Sequence, residues 1–146
     1  MIGQVERIWV KRAHGGDMVE LTEAVVDDDG LAANADRGGR RSVTLLEADG
    51  WARACERLGA DLDPIARRAN LLVSGIDLVD SRGRLLRIGE VEFEITSETT
   101  PCGLMDVVHV GLQDALRPEW RGGASTRVTS PGTIRVGDKI TWLGSR

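Results

Sequence analysis

The chain has 146 residues, a formal net charge of −4, two cysteines, 18 Gly, four Trp, one Phe and no Tyr. That acidic balance excludes a general nucleic-acid binder, which needs a basic surface against phosphates, and no apolar run approaches the length that spans a bilayer. With no secretory pattern at the N-terminus, a cytoplasmic protein with reduced thiols and no membrane partner is expected, folded as a single β-rich domain over residues 1–146.

Residues 2–11 hold enough β-branched and aromatic side chains for an opening strand, which His14-Gly15-Gly16-Asp17 turns back. Val19, Leu21 and Val25 mark a second strand ending in Asp27-Asp28-Asp29-Gly30. The spaced ligands of a calcium loop are missing there, so the acidic triplet reads as a solvated turn. Residues 30–41 form a glycine-rich loop with Arg37, Arg40 and Arg41. Backbone N–H groups and guanidinium groups together suit an oxyanion, and a plain solvated loop is the other reading.

Ser42–Leu46 returns to strand character. From 47 to 60 a helical period places Trp51, Ala54, Cys55 and Leu58 on one face, with Gly59 near its end, so Cys55 belongs to a core. Asp63-Pro64 breaks the chain, and Arg67-Arg68-Ala69-Asn70 leads into the apolar strand 71–75. Two arginines and an amide at a strand's mouth can recognise an anion, since each Arg offers a bidentate fork; a surface basic pair with a turn-forming Asn is the alternative.

Leu85–Ile88 and Val91–Ser97 read as strands, the second alternating Val91, Phe93 and Ile95 with polar partners. Arg87–Phe93 and Arg135–Trp142 share an apolar-Gly-acid-x-apolar core, a glycine corner of the kind small barrels use. Between them the chain passes Thr100-Pro101-Cys102-Gly103, where Pro101 and Gly103 set Cys102 at a bend. Leu104, Val108, Leu112 and Leu116 then predict a helix that Pro118 ends. A cysteine in the first turn of that helix would meet its dipole and free N–H groups, which favour a nucleophilic or metal-binding thiolate. A buried structural cysteine fits the same local pattern. His109 lies two helical turns from Cys102, too far for a Cys–His pair, and zinc, phosphate-loop, dinucleotide and nucleophile-elbow patterns are absent. Gly122-Gly123 sits in a loop, and Ser125–Thr129 is a short strand with Arg127.

The order of these motifs is more specific than any of them alone. Gly30-Leu31 with Asp36-Arg37, Arg68-Ala69-Asn70-Leu71 with Val73-Ser74-Gly75, Leu86-x-Ile88-Gly89-Glu90-x-x-Phe93, Pro101-Cys102, Gly122-Gly123 and Gly132-x-Ile134-x-x-Gly137-Asp138 succeed one another. From about Gly30 to the C-terminus this series resembles the MOSC domain, found at the C-terminus of molybdenum-cofactor sulfurases and as stand-alone bacterial proteins. Where relatives have a compact Gly-Leu-x-Gly-Asp loop, this chain reads Gly30-Leu31-Ala32-Ala33-Asn34-Ala35-Asp36.

The resemblance implies a mainly β fold, a small β-barrel with a few peripheral α-helices, and a role around the molybdenum cofactor (molybdopterin) or sulfur transfer. Cys102 maps onto the family's sulfur-carrying or metal-ligating thiol, and Arg68 and Asn70 onto its pocket wall. An anionic, phosphorylated pterin needs guanidinium, amide and hydroxyl donors, for which Arg37, Arg41, Arg68, Asn70, Thr100 and Arg127 are the candidates, with Cys102 as soft ligand. As a sulfur carrier, Cys102 would instead attack a donor persulfide and pass its terminal sulfur on. A sulfur-donor desulfurase or an electron-donor protein is the expected partner. Three functions stay open: a cofactor-binding or sulfur-carrier domain, a small molybdenum-dependent reductase of N-hydroxylated compounds, and a non-catalytic anion-binding module with a structural Cys102.

Overall fold

A computed structural model describes residues 3–39 and 42–144. In chain order its elements are β1 (Gly3–Lys11), β2 (Met18–Leu21), β3 (Glu23–Asp27), β4 (Gly30–Leu31), β5 (Val43–Glu47), α1 (Ala48–Leu58), β6 (Leu71–Ser74), β7 (Leu85–Ile88), β8 (Val91–Glu98), α2 (Leu104–Val108), α3 (Leu112–Ala115), β9 (Ala124–Ser130), β10 (Gly132–Arg135) and β11 (Lys139–Leu143). Seven strands close into a barrel in the order β11-β7-β8-β9-β5-β6-β1, with β1 pairing back onto β11 and β2 added outside β1. Only β5 and β6 run parallel within the barrel, and α1 lies in the connection between them. The remaining strands form a small sheet, β10-β3-β4. No helix among the described residues is long and apolar enough to cross a membrane.

The expected alternation in β8 is realised, with Val91, Phe93 and Ile95 fully buried inside the barrel. They join Ile8, Leu45, Leu71, Leu86, Ile88 and Ile140 in one core. A second core lies between the barrel wall and the helices, built from Trp9, Leu46, Trp51, Ala54, Cys55, Leu72, Met105, Leu112 and Leu116. Cys55 thus sits in a core, as its helical face implies, and α1 ends at Gly59 in the left-handed conformation (φ 62°). The two echoing glycine corners meet where the barrel closes. Gly89 has φ 58°, and the Asp138 carboxylate from the other corner fills the place a side chain would need. A glycine is required there on both counts.

Two expected elements differ. The second strand divides at Thr22, so β2 pairs with β1 while β3 pairs with β10 in the other sheet. The helix expected over 104–116 is two short pieces: His109 is extended and Gly111 has φ 90°. Valines at 107, 108 and 110 and a glycine make this a poor helical run, and the bend lets both Met105 and Leu112 reach the second core. As a result Leu112 and Leu116 are buried while Leu104 and Val108 are exposed.

Candidate functional site

Strand β8 delivers the chain to the barrel rim. Thr99 is tied there by its N–H to the Gly123 carbonyl (2.8 Å) and by its hydroxyl to that of Ser125 (2.9 Å). Pro101 and Cys102 follow, and the Cys102 carbonyl accepts the Met105 N–H (3.0 Å) to begin α2. Cys102 is exposed, which the buried structural reading does not accommodate. The long helix whose dipole was expected to act on it is absent, because α2 has five residues.

Across from Cys102, Asp63 caps a single 3-10 turn over Pro64–Arg67 by accepting the Ile65 N–H (2.9 Å). Arg68 then takes a left-handed backbone (φ 64°), unusual for a side-chain-bearing residue, and donates to the Gly16 carbonyl (2.5 Å). Arg67, its neighbour, is largely enclosed. Its Nε donates to the Gly122 carbonyl (2.8 Å), and its Nη2 to the carbonyls of Thr99 (3.0 Å) and Thr100 (3.5 Å). Its Nη1 reaches the Met105 sulfur at 3.9 Å. Burial lowers its pKa from the usual arginine value, and the one opposing influence is the charge of Cys102.

Cys102, Arg67, Arg68 and Met105 line a cleft of about 430 Å³, together with the exposed apolar side chains Leu104, Val107 and Val108. An adjoining cavity of about 330 Å³ is lined by Asn34, Asp36 and Asn70. The two share Lys11, Thr44, Arg68 and Thr99 as common wall. In the polar part, Asp36 pairs with Lys11 (3.0 Å) and His14 (2.5 Å), and the Lys11 hydrogen bond holds its carboxyl below the usual carboxylate range. The widened loop therefore still brings Asp36 to the cavity that adjoins the cleft.

The sequence-derived candidates separate. Cys102 and Arg68 share one wall, and Asn70 lies in the adjoining cavity. Asn70 is buried and its amide is committed to the fold: Oδ1 accepts from the Thr44 N–H (3.1 Å) and hydroxyl (3.3 Å), while Nδ2 donates to the Trp9 carbonyl (3.1 Å). Thr100 is exposed, and it is Thr99 that lines both cavities. Arg37 is drawn away by Asp27, its ion-pair partner, and donates to the Ala32 carbonyl (3.3 Å). Arg127 pairs with Glu94 (2.5 Å) and borders a separate recess of about 260 Å³ that shares no residue with the Cys102 cleft. Arg41 lies outside the described residues. Sequence reasoning missed Lys11, Thr44 and Thr99; it placed Arg67 in the basic pair at the strand's mouth but chose only Arg68 as a site residue, and Thr99 is the immediate neighbour of the Thr100 it chose. Among the described residues no group of three His, Cys, Asp or Glu side chains can hold a metal ion.

A closed seven-stranded barrel with an exposed thiol between cations at its rim defines a recognisable class. The chain belongs to the MOSC domain family, which it matches over residues 10–141. Its fold is similar to that of YuaD from Bacillus subtilis, at TM-score 0.79 and 17% identity, covering 96% of this chain and 94% of that one. It is also similar to YiiM from Geobacillus stearothermophilus (TM-score 0.77, 18% identity, 97% and 75% covered) and YiiM from Escherichia coli (TM-score 0.77, 15% identity, 100% and 71% covered). No curated protein matches the sequence. MOSC domains are associated with the molybdenum cofactor, which places this chain in that context.

Proposed function

We propose that the cleft binds a molybdenum cofactor, with Cys102 as the single protein thiol on the metal. The observation that carries this reading is the donor set: one exposed soft ligand, three cationic side chains (Lys11, Arg67 and Arg68) and an apolar wall on one continuous surface. The fit is chemical. A metal already held by the cofactor's own sulfur atoms needs few protein ligands, and soft thiolate suits it. Lys11 and Arg68 border the polar part, where they would receive an anionic phosphate, and Asp36, held ionised by Lys11, would accept hydrogen bonds from N–H groups of the ligand. Bound there, the cofactor would supply a metal centre for two-electron chemistry such as reduction of N-hydroxylated compounds, with electrons from a donor protein.

A sulfur-carrier role is the second reading, favoured by one observation. Cys55 is buried in the second core, so no second thiol of the described chain is placed to resolve a persulfide on Cys102, which would last until an acceptor arrives. Metal analysis of protein purified from a cofactor-competent host tests both. Loss of molybdenum in Cys102→Ser is expected for the first reading. Persulfide labelling of Cys102 after incubation with a cysteine desulfurase and cysteine, without molybdenum, supports the second. Equal molybdenum content and no labelling difference between wild type and Cys102→Ser would overturn both.

A further inference from the structure

Arg67 is an unusual arginine for this surface. A largely buried guanidinium is costly unless an anion or a full set of hydrogen bonds compensates it. Three carbonyls satisfy its Nε and Nη2, yet its Nη1 meets only a thioether, and no carboxylate among the described residues pairs with it. Carbonyl dipoles lower the cost of burial without cancelling the charge. By contrast Arg7 pairs with Glu20 and Asp63, Arg87 with Glu92, and Arg127 with Glu94, and all three are more exposed than Arg67.

The carbonyls it holds are also particular. Thr99 and Thr100 immediately precede Pro101-Cys102, and Gly122 crosses them so closely that a Cβ there would lie 2.5 Å from the Thr99 oxygen and 3.4 Å from Arg67 Nη2. One guanidinium therefore pins the loop that carries the thiol to the crossing turn before β9 and lines the same cleft as that thiol.

We propose that Arg67 is the positioning residue of Cys102, clasping its loop through the Thr99, Thr100 and Gly122 carbonyls and setting an unneutralised positive charge beside the sulfur. This rests on the cleft being the functional site and deepens that reading. The charge favours an anionic sulfur, or an anionic reactant approaching it, over neutral ones.

The test compares alkylation of Cys102 by iodoacetate, an anion, with alkylation by iodoacetamide, its neutral counterpart, in the metal-free full chain, read by mass spectrometry of the Cys102 peptide. The ratio of the two rates cancels thiol reactivity and accessibility and reports local charge. In the native protein the ratio is expected to exceed that of the urea-unfolded chain by about three- to tenfold at low salt, and to fall towards it in 1 M salt. Arg67→Gln, which keeps an amide donor without the charge, should lose most of the excess. Arg67→Lys, which keeps the charge but not the fork, should retain it, and Arg68→Gln should lose less than Arg67→Gln. A native ratio equal to the unfolded one, or a ratio unchanged in Arg67→Gln, overturns the proposal; if Arg67→Gln does not fold, the wild-type comparison decides alone. Molybdenum content in Cys102→Ser fails or succeeds independently of these ratios, so the two readings are separable.

Discussion

The Cys102 cleft and a second cavity share a border along β5 and the Arg121-Gly122 turn, yet they are chemically opposite. The second, of about 560 Å³, is the roomier, and it is lined by Glu47, Asp49, Asp77 and Glu119 with Arg53 and Arg121. There the acids outnumber the arginines, and Arg53 and Arg121 both approach Glu119, at 3.8 and 3.6 Å, although the Arg121 Nε stays buried without a hydrogen-bond partner. In the cleft, Lys11 is paired with Asp36 while Arg67 has only neutral partners, beside an exposed thiol and apolar side chains. The two cavities thus differ less in volume than in what lines them, and only the smaller holds a thiol.

The sharpest way to break this contrast is at the strut behind the cleft. Asn70→Ala would leave the half-buried Thr44 N–H and the buried Trp9 carbonyl without their partner, so a loss of about 3 kcal/mol in urea unfolding is expected. A loss below about 1 kcal/mol would mean that Asn70 is held for a ligand rather than for the fold. A second pair of variants addresses the shared turn. Gly122→Ala drives a Cβ into the Thr99 oxygen at 2.5 Å, a backbone atom fixed by Arg67, and should cost about 2 kcal/mol. Gly50→Ala, on the other side of the same turn and inside α1, meets Arg121 at an ordinary 3.4 Å and should stabilise by about 0.5 kcal/mol through helix propensity. Similar effects from both would mean that the cleft side is no more tightly built than the other.

This asymmetry explains what was legible beforehand. The barrel strands announce themselves by alternation, as in Val91, Phe93 and Ile95, and α1 by the spacing of Trp51, Ala54 and Cys55, because burial on one face imposes a period. The rim carries no period. That Arg67 rather than Arg68 clasps the Cys102 loop depends on the left-handed backbone at Arg68, and nothing in two adjacent arginines encodes which side chain goes where. Lys11 reaches the cleft only because the end of β1 lies against the loop bearing Asp36, a contact across 25 positions. Arg37 and Arg127 were plausible cations whose availability was decided by Asp27 and Glu94, partners visible only once the chain is folded. The bend at Cys102 was legible because Pro and Gly mark it, while nothing local encoded the exposure of its thiol.

The last test is a titration in the second cavity. Burial pushes Glu47 from 4.5 up to about 7, and the Leu78 N–H at 3.4 Å offsets this only in part. Below pH 4.5 the carboxyl is protonated in folded and unfolded chains alike. Between 4.5 and 7 the folded chain holds the proton more tightly, so stability falls as pH rises; above about 7 both are ionised and the loss is complete. Because solvent still reaches the carboxyl, the loss should be about 1 kcal/mol rather than the full value for a sealed site. Glu47→Gln keeps the shape and removes the titration, so its stability advantage over wild type should grow from pH 4.5 to 7 and then stay constant. Cys102 alkylation should be unaffected, since Glu47 does not line the cleft. An advantage independent of pH would show that the carboxyl is solvated in the folded chain, and a changed Cys102 alkylation rate would show that the two cavities are coupled through β5.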